Sequence, residues 1–253
     1  MSSFKDLRIV DNFYQTSAFF PMPTVLISTL ADDKSTSLGA YSLCFPYYIA
    51  GKDYYAMLLE CRNSSNTAQN LLKRGMCAIN FLEDGKGDFS ETVRLGFPGE
   101  TSAEKMANCK FELEAGQCEG ERPLVIRKAF QVMECTWDDT LENAFEDRPR
   151  VGQLEGIEPP HRNFNGITSK FGCHFILKID KVLMKEKFYD AIVNGVKASL
   201  FPRVPVDYGY RDSTNFWYTR FRRPIAMKIP AAREADLSGV VYAADRIDDK
   251  IKF

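Results

Sequence analysis

The chain has almost no histidine and no closely paired cysteines, and these two shortages exclude several common kinds of site. Only His161 and His174 occur among its 253 residues, and the seven cysteines include no C-x-x-C pair. A zinc centre needs a spaced set of His and Cys ligands, so we expect no metal site. The odd cysteine count argues against a secreted disulfide framework and favours reduced, partly buried thiols in a cytoplasmic protein.

Long apolar runs and an excess of charge of one sign are also missing. The 33 basic and 34 acidic side chains give a formal net charge of -1, so no overall field attracts the protein to nucleic acid or to an anionic membrane. Lys5, Asp6, Arg8 and Asp11 interrupt the apolar residues near the start of the chain. This segment therefore predicts neither a signal peptide nor a membrane anchor, and we expect no nucleic-acid and no membrane partner.

Two nucleotide-binding motifs are absent as well. The chain has neither a G-x-G-x-x-G turn nor a Walker A sequence, and Gly85-Lys86-Gly87 fits neither pattern. If the protein binds a nucleotide cofactor, it does not hold it as a Rossmann domain does.

The apolar segments that are present have the length of β-strands. Short apolar runs with β-branched or aromatic residues lie at 25–30, 54–60, 76–82 and 129–138, and a longer alternating run lies at 171–184. The intervening helical segments are few and short. This pattern predicts a mainly β fold with antiparallel strands rather than a doubly wound sheet.

We expect one domain over residues 1–253, with two additions to its core. The stretch from about 138 to 168 is rich in Pro, Gly and charge, which predicts an inserted loop rather than a domain boundary. Residues from about 186 to 253 form a C-terminal extension, in which aromatic and arginine side chains concentrate between 216 and 223.

A polar run of six residues, Arg-Asn-Ser-Ser-Asn-Thr at 62–67, precedes a predicted amphipathic helix. Asn66 with Gln69 resembles a capping box, and Ser64 and Ser65 are rival N-caps. One interpretation of the run is therefore a well-capped start of a surface helix. The other is a site for an anion.

The anion interpretation rests on the donors that the start of this helix collects. Free backbone N–H groups and the helix dipole attract negative charge. Arg62 adds a forked, permanently charged donor, and Ser65, Asn66 and Thr67 add neutral donors around it. A phosphate monoester needs this chemistry, although capping alone also accounts for Ser and Asn here.

The order of the motifs resembles the flavin reductase-like family of FMN-binding split barrels. Pro21 and Pro23 precede a strand that ends near Thr29, and the polar run at 62–70 follows a later strand. Residues 171–184 resemble the histidine-containing strand of the family. The resemblance implies a Greek-key split β-barrel with a few short helices, which binds FMN.

The resemblance covers most of residues 21–183 and departs from the family pattern at one turn. Lys34 and Ser35 stand where the family usually has a glycine, and Ser37 stands where it usually has an asparagine. The geometry of the turn and one contact to the flavin edge depend on these positions.

The resemblance implies roles for several residues. The phosphate of FMN would be held by Arg62, Ser65, Asn66 and Thr67. The edge of the flavin ring would be lined by Gly39, Ala40, Tyr41 and Ser42, and approached from the neighbouring strand by Ser28 and Thr29. His174 is the candidate catalytic residue beside a flavin or nicotinamide, and a half-buried structural histidine is an equal interpretation.

The implied activity is that of a flavin reductase-like oxidoreductase, which passes electrons from NADH or NADPH to flavin, as a homodimer. Two alternatives remain: an FMN-binding electron carrier without NAD(P)H activity of its own, and a non-enzymatic module that binds a nucleotide or another anion. The aromatic and arginine side chains at 216–223 predict a dimer arm, a lid over the flavin or plain core packing. Cys61 is either a thiolate beside Arg62 or a small residue at a strand end, and His161 is expected on the surface.

Overall fold

The computed structural model describes residues 22–47, 54–85, 87–141, 165–168, 170–193, 202–210 and 216–219. All structural statements below concern these residues. His161, residues 142–164 of the expected insertion and residues 220–253 of the extension lie outside them.

One curled antiparallel sheet is the body of the fold. Its strands follow in the order β3 (Thr36–Tyr41), β2 (Val25–Leu30), β6 (Met76–Phe81), β9 (Gln131–Trp137), β11 (Gly172–Met184), β5 (Ala56–Arg62) and β4 (Cys44–Tyr47), and β10 (Gly166–Ile167) pairs with β11. The first and last strands of this order do not pair with each other, so the sheet forms a half-barrel. The prediction of a mainly β split barrel is confirmed.

The sheet carries a hydrophobic cluster on each face, which explains why its central strands are apolar at nearly every position. On one face Ile27, Leu59 and Phe175 are fully buried, and on the other Leu26 and Leu38 are fully buried. Burial of each such side chain contributes about 1.5–3 kcal/mol. A strand buried on both faces loses the alternation that marks a half-exposed strand.

Helices cover both faces of the sheet. The helix α1 (Asn66–Arg74) packs against β2 and β3 through Ala68 and Leu71. We call the sheet face that it covers the α1 face. The helices α2 (Asp88–Gly96) and α3 (Ser102–Ala107) pack against β3 and help to cover the opposite face.

Local sequence signals mark the starts of α1 and α3 but not that of α2. Thr101 and Glu104 form a capping box at the start of α3, which is a strong local signal. The helix α2 starts after Gly87 and has no side-chain cap, so its start has no comparable signal. The fourth helix, α4 (Glu186–Val193), follows β11 directly.

The described part of the C-terminal extension pairs with the first described strand of the chain. The strand β1 (Met22–Pro23) pairs with β12 (Val206–Tyr210), which pairs with β13 (Phe216–Thr219). The N–H of Asp84 also donates to the carbonyl of Arg203 at 2.7 Å. The single-domain organisation and the role of residues 216–223 as arm, lid or core stay predictions.

Two short strands, β7 (Leu113–Glu114) and β8 (Val125–Ile126), form a separate hairpin. No helix in the described ranges is both long and apolar enough to cross a membrane.

Candidate functional site

The polar run after β5 forms a tight connection into α1, which we call the Arg62 loop (residues 62–67). Arg62 lies opposite Gly172 in the register of β5 and β11. The backbone N–H of Asn63 donates to the carbonyl of Phe171 at 3.0 Å, and its side-chain amide donates to the carbonyl of Lys170 at 2.7 Å. The loop is therefore fastened to the turn that precedes β11.

Ser65 is the N-cap of α1. It has extended backbone angles, and its Oγ accepts from the N–H of Ala68 at 3.1 Å. The capping box predicted for Asn66 and Gln69 is wrong, because Asn66 is already helical and its amide donates to the carbonyl of Glu100 at 3.0 Å. Of the two rival caps, Ser65 is correct. Gln69 instead donates from Nε2 to the carbonyl of Asn63, at 2.6 Å.

The start of α1 presents donors that the described part of the chain does not use. The N–H groups of Asn66 and Thr67 make no hydrogen bond to the described residues. Arg62 is exposed, and its guanidinium group makes no hydrogen bond or ion pair with that part of the chain. The first turn of α1 also contains no acidic residue. These groups fit a phosphate, which accepts from N–H groups and is attracted by the helix dipole.

A small buried cluster of hydroxyl groups supports this helix start. Thr67 is 4% exposed, so its side chain faces the protein and only its N–H remains for a ligand. A Cβ on Gly39 would lie 2.7 Å from Thr67 Oγ1, so Gly39 is what allows β3 and α1 to approach. The hydroxyl of Tyr41 interacts with those of Ser65 and Thr67, while burial raises the pKa of Tyr41 to about 12.

The predicted ring-edge residues divide between the two faces of the sheet. Gly39 and Tyr41 lie on the α1 face, beside the Arg62 loop. Ala40 lies on the opposite face, packed with the cluster under α2 and α3. Ser42 is half-buried just after β3. The structure brings only Gly39 and Tyr41 of these four into contact with α1, and all four ring contacts stay predictions.

Ser28 and Thr29 are buried, and their hydroxyl groups already have partners. Thr29 Oγ1 accepts from the side-chain amide of Asn70 at 3.0 Å, which ties α1 to β2. Ser28 Oγ accepts from the side-chain amide of Asn80 at 2.8 Å on the opposite face. Neither hydroxyl faces the Arg62 loop, so a ring contact from this strand would use its backbone, and that contact stays a prediction.

Cys61 is a structural residue rather than a reactive thiolate. Its side chain is 6% exposed, and burial, together with the neighbouring Cys173, raises its pKa to about 12. A thiol in such a site is neutral near pH 7 and is a poor nucleophile. Of the two interpretations of Cys61, the small strand-end residue is therefore correct.

His174 lies on β11, on the same sheet face as Arg62 and two residue pairs further along. Its partner across the sheet is Glu60, and their side chains are 27% and 45% exposed. The Nδ1 atom of His174 lies 2.6 Å from Thr168 Oγ1, and Nε2 lies 3.9 Å from Glu60 Oε2. Sequence reasoning found His174 but missed Glu60 and Thr168, because both become its neighbours only through strand register. The catalytic role of His174 stays a prediction.

No three or more His, Cys, Asp or Glu residues in the described ranges are arranged to hold a metal ion. No protein-family model matches the chain, and no curated protein matches it in sequence.

Solved structures match the fold of the chain at low sequence identity. Flavoredoxin from Methanosarcina acetivorans superposes with a TM-score of 0.60 at 12% identity, over 92% of this chain and 100% of that one. Component B of nitrilotriacetate monooxygenase from Bacillus cereus gives 0.60 at 11% identity, over 89% and 100%. An FMN-binding protein from Thermus thermophilus gives 0.56 at 13% identity, over 91% and 99%.

These likenesses show the fold. The chain has the split-barrel fold of flavin reductases and FMN-binding proteins.

Proposed function

We propose that this protein is an FMN-binding oxidoreductase of the flavin reductase type, which passes electrons from NADH or NADPH to flavin. One observation carries the proposal: on a split barrel, the start of α1 offers two unused N–H groups beside an exposed arginine without a partner among the described residues. This is the donor set of a phosphate site. The structural relative named as an FMN-binding protein supports a flavin nucleotide as the phosphate-bearing ligand.

Each residue of the Arg62 loop has a distinct part in this proposal. The guanidinium group of Arg62 binds two phosphate oxygens at once, which a lysine cannot do. The N–H groups of Asn66 and Thr67 bind the remaining oxygens. Ser65 shapes the helix start through its cap, and its hydroxyl also interacts with that of Tyr41.

Tyr41 and Gly39 hold the phosphate site in place from behind. Because Tyr41 interacts with the hydroxyl groups of both Ser65 and Thr67, it fixes the direction of the first helical turn. FMN, when bound, supplies the hydride- and electron-accepting chemistry. The protein therefore needs no nucleophile triad, and its residues bind the cofactor, orient it and admit the electron donor.

We also propose that the protein is a cytoplasmic homodimer. Ile167 and Phe171, beside the Arg62 loop, are 65% and 72% exposed, and a second copy of the chain would remove these apolar side chains from water. All seven cysteines are free, which agrees with a reducing compartment. Light scattering coupled to size-exclusion chromatography gives the subunit number directly, and a monomer at micromolar concentration would contradict the dimer.

The test of the function is flavin retention by wild-type protein, Arg62→Ala and Arg62→Lys. Each protein is saturated with FMN, freed of excess ligand and scanned at about 450 nm, where oxidised flavin absorbs. We expect Arg62→Ala to raise the Kd for FMN by about 10- to 100-fold, because a charged hydrogen bond contributes about 1.5–3 kcal/mol. Arg62→Lys should lie between the two.

Arg127→Ala is the matched control, since Arg127 is also exposed but pairs with Glu112 and Glu114 on the separate β7–β8 hairpin. It should bind FMN as the wild type does. Equal retention by wild type and Arg62→Ala would overturn the phosphate assignment.

The electron-carrier alternative has one observation in its favour, since a structural relative is named a flavoredoxin. NADH and NADPH oxidation with added FMN separates the two functions. A flavin-loaded protein that oxidises neither nucleotide is an electron carrier. A protein that binds inorganic phosphate but no FMN is the non-enzymatic module.

A further inference from the structure

Lys170 is an exposed lysine in the turn between β10 and β11, and it makes no ion pair with the described part of the chain. Its backbone carbonyl accepts from the side-chain amide of Asn63 at 2.7 Å. The carbonyl of Asn63 accepts in turn from Nε2 of Gln69, on α1, at 2.6 Å. One asparagine of the Arg62 loop therefore ties the backbone of Lys170 to α1.

The ammonium group of Lys170 lies over the aromatic ring of Phe171, with Nζ 5.4 Å from the ring centroid. The negative face of an aromatic ring attracts a cation at this distance. Phe171 is the partner of Asn63 across β5 and β11, because the N–H of Asn63 donates to its carbonyl. The charge of Lys170 is therefore held beside the Arg62 loop.

The lysine and the arginine approach this end of the sheet from opposite faces. Cys173 lies on the α1 face, and side chains alternate along a strand, so Phe171 points to the same side. Cys61 also lies on the α1 face, so Arg62, which follows it, points to the other side. Because Lys170 Nζ lies over Phe171, its charge is on the side of the sheet where α1 begins.

Two carboxylates in this part of the fold have other partners. Glu100, whose carbonyl accepts from Asn66, forms an ion pair with Arg94 at 3.4 Å. Glu60 lies on the face opposite α1, with Oε2 3.9 Å from Nε2 of His174. The first turn of α1 contains no acidic residue. The positive charge beside the helix start therefore remains available for an anion from outside the chain.

Two cations and a helix start suit an anion with more than one negative charge. A phosphate monoester carries a charge of about -1.5 to -2 near pH 7, because its second pKa is about 6. The N–H groups at the start of α1 bind phosphate oxygens but contribute only a partial positive charge. A single arginine therefore leaves part of the charge of a monoester unbalanced, and Lys170 supplies what is missing.

We propose that Lys170 is a second phosphate-binding cation, which favours a ligand that ends in a phosphate monoester. Its ammonium group binds the phosphate from the α1 side, and Arg62 binds it from the opposite side. For the identity of the ligand as FMN this inference rests on the proposed function. The binding of a doubly charged phosphate by Lys170 does not depend on the rest of the ligand.

The test is a fluorescence titration of FMN and of riboflavin, which lacks the phosphate, with wild-type protein, Lys170→Ala and Lys170→Arg. Lys170→Ala should raise the Kd for FMN about 3- to 10-fold at low salt, as expected for one lost charged contact at an exposed position. The Kd for riboflavin should not change. Lys170→Arg keeps the charge and should bind FMN within about 2-fold of the wild type. At about 0.5 M salt the difference should shrink, because salt screens exposed charges.

Lys187→Ala is the matched control. Lys187 also lies over the ring of the residue that follows it, with Nζ 4.2 Å from the centroid of Phe188, but it is on α4 and pairs with Glu83. This variant should bind FMN as the wild type does. Equal FMN affinity in wild type and Lys170→Ala, or an equal loss of riboflavin affinity, would overturn the role of Lys170.

Inorganic phosphate separates the failure of this inference from the failure of the proposed function. At about 20 mM it should raise the Tm of the wild-type protein more than chloride does at equal ionic strength, and this shift should be smaller in Lys170→Ala. If the wild type shows that pattern but binds no FMN, the proposed function is wrong and the role of Lys170 stands. If FMN binds equally well to both proteins, only the role of Lys170 is wrong.

Discussion

Gly39 shows how one missing side chain positions a candidate binding site. It lies on β3 beside α1, and the nearest atoms to a Cβ there belong to Thr67 and Tyr41. Both of these residues contact the helix start that offers the phosphate donors. Gly39 can therefore influence ligand binding through packing as well as through its predicted contact with the flavin edge.

We predict that Gly39→Ala lowers the free energy of unfolding by about 1–3 kcal/mol, the usual cost of overpacking. Its Cβ would lie 2.7 Å from Thr67 Oγ1 and 3.0 Å from Tyr41 Cε2, so these side chains or α1 have to shift. FMN retention should fall together with stability. Urea unfolding and flavin titration measure the two effects.

Gly96→Ala is the matched control for that substitution. A Cβ at Gly96 would meet the Cβ of Ala40 at 3.4 Å, which is ordinary contact. It should change stability by less than about 1 kcal/mol. If Gly39→Ala were as stable as Gly96→Ala and bound FMN normally, the close approach of β3 and α1 would matter neither for stability nor for FMN binding.

Lys34 shows what a residue-level departure from a family pattern does to the backbone. It has φ of 67°, the left-handed conformation that glycine adopts without strain. Lys34 therefore holds a backbone conformation that non-glycine residues seldom adopt. Asp33 supports it by accepting from the N–H of Ser35 at 3.0 Å and from its hydroxyl.

At the level of elements, local signals predicted some features well. Gly75 follows Lys73 and Arg74, a local signal for a helix end, and it ends α1 with φ of 67° while its N–H donates to the carbonyl of Leu71. The strand expected at 76–82 runs over Met76–Phe81. In both cases the information lies within a few residues of the feature.

Other elements depend on contacts between distant segments. The two-residue strands β1 and β10 exist because β12 and β11 lie beside them. The capping box placed on Asn66 failed for a similar reason, since Asn66 finds its partner in Glu100, 34 residues away. No local pattern contains that partner.

The candidate site also combines features that local sequence predicts with features that depend on contacts between distant segments. The Arg62 loop was predicted from its composition, whereas the burial of Thr67 and Ser28 was not. Helical spacing places Thr67, Asn70 and Leu71 on one buried side of α1, so this pattern could have warned that Thr67 faces inward. Ser28 and Thr29 face opposite sides of β2, and only the register shows which side has α1.

The helix α2 contains a buried carboxylate with a pH-dependent role. Glu91 is 4% exposed and accepts from Arg94 at 2.8 and 3.0 Å and from the N–H of Lys110 at 3.1 Å. The hydrogen bonds from Arg94, with that from Lys110, hold the pKa of Glu91 below its usual value. A carboxyl group with a lowered pKa stabilises the fold above its unfolded-state pKa, and this contribution is lost as pH falls through the folded-state pKa.

We therefore predict that Glu91→Gln costs about 1–3 kcal/mol in the free energy of unfolding at pH 7. The cost should shrink as the pH is lowered below about 4.5, the usual range for a glutamic acid. Urea unfolding of both proteins between pH 7 and pH 3 measures the difference. An equal difference at every pH would contradict an ionised, hydrogen-bonded Glu91.

On the scale of the whole molecule, the sheet separates the cysteines into two groups. Five of them belong to the buried cluster on the α1 face: Cys44, Cys61, Cys77, Cys135 and Cys173. Cys109 and Cys118 lie outside that cluster and are partly exposed. The reactivity of the five buried thiols therefore reports whether the core on the α1 face is exposed to solvent.

We predict that a thiol reagent such as DTNB at pH 8 modifies Cys109 and Cys118 in the native protein and leaves the other five unmodified for much longer. Burial excludes the reagent from the cluster and raises the pKa of Cys44 and Cys173 there. Mass spectrometry of the labelled peptides identifies the modified positions. In guanidinium chloride all seven should react, and rapid native labelling of Cys135 would mean that the half-barrel opens readily.

A sheet that does not close has two ends, and each end could recruit a strand from another molecule. At one end, β3 is overlaid by α2 and α3. At the other, β4 has no described strand on its outer side, and it carries Pro46.

The register shows which way Pro46 faces. The N–H of Glu60 donates to the carbonyl of its partner Leu43, so by alternation Pro46 and Met57 are a non-hydrogen-bonded pair. The nitrogen of Pro46 therefore points away from β5, towards the open edge of the sheet. A residue with an N–H at this position could donate a hydrogen bond to a strand of another molecule. Pro46 thus removes no hydrogen bond between β4 and β5, and it makes this sheet edge a poor template for aggregation.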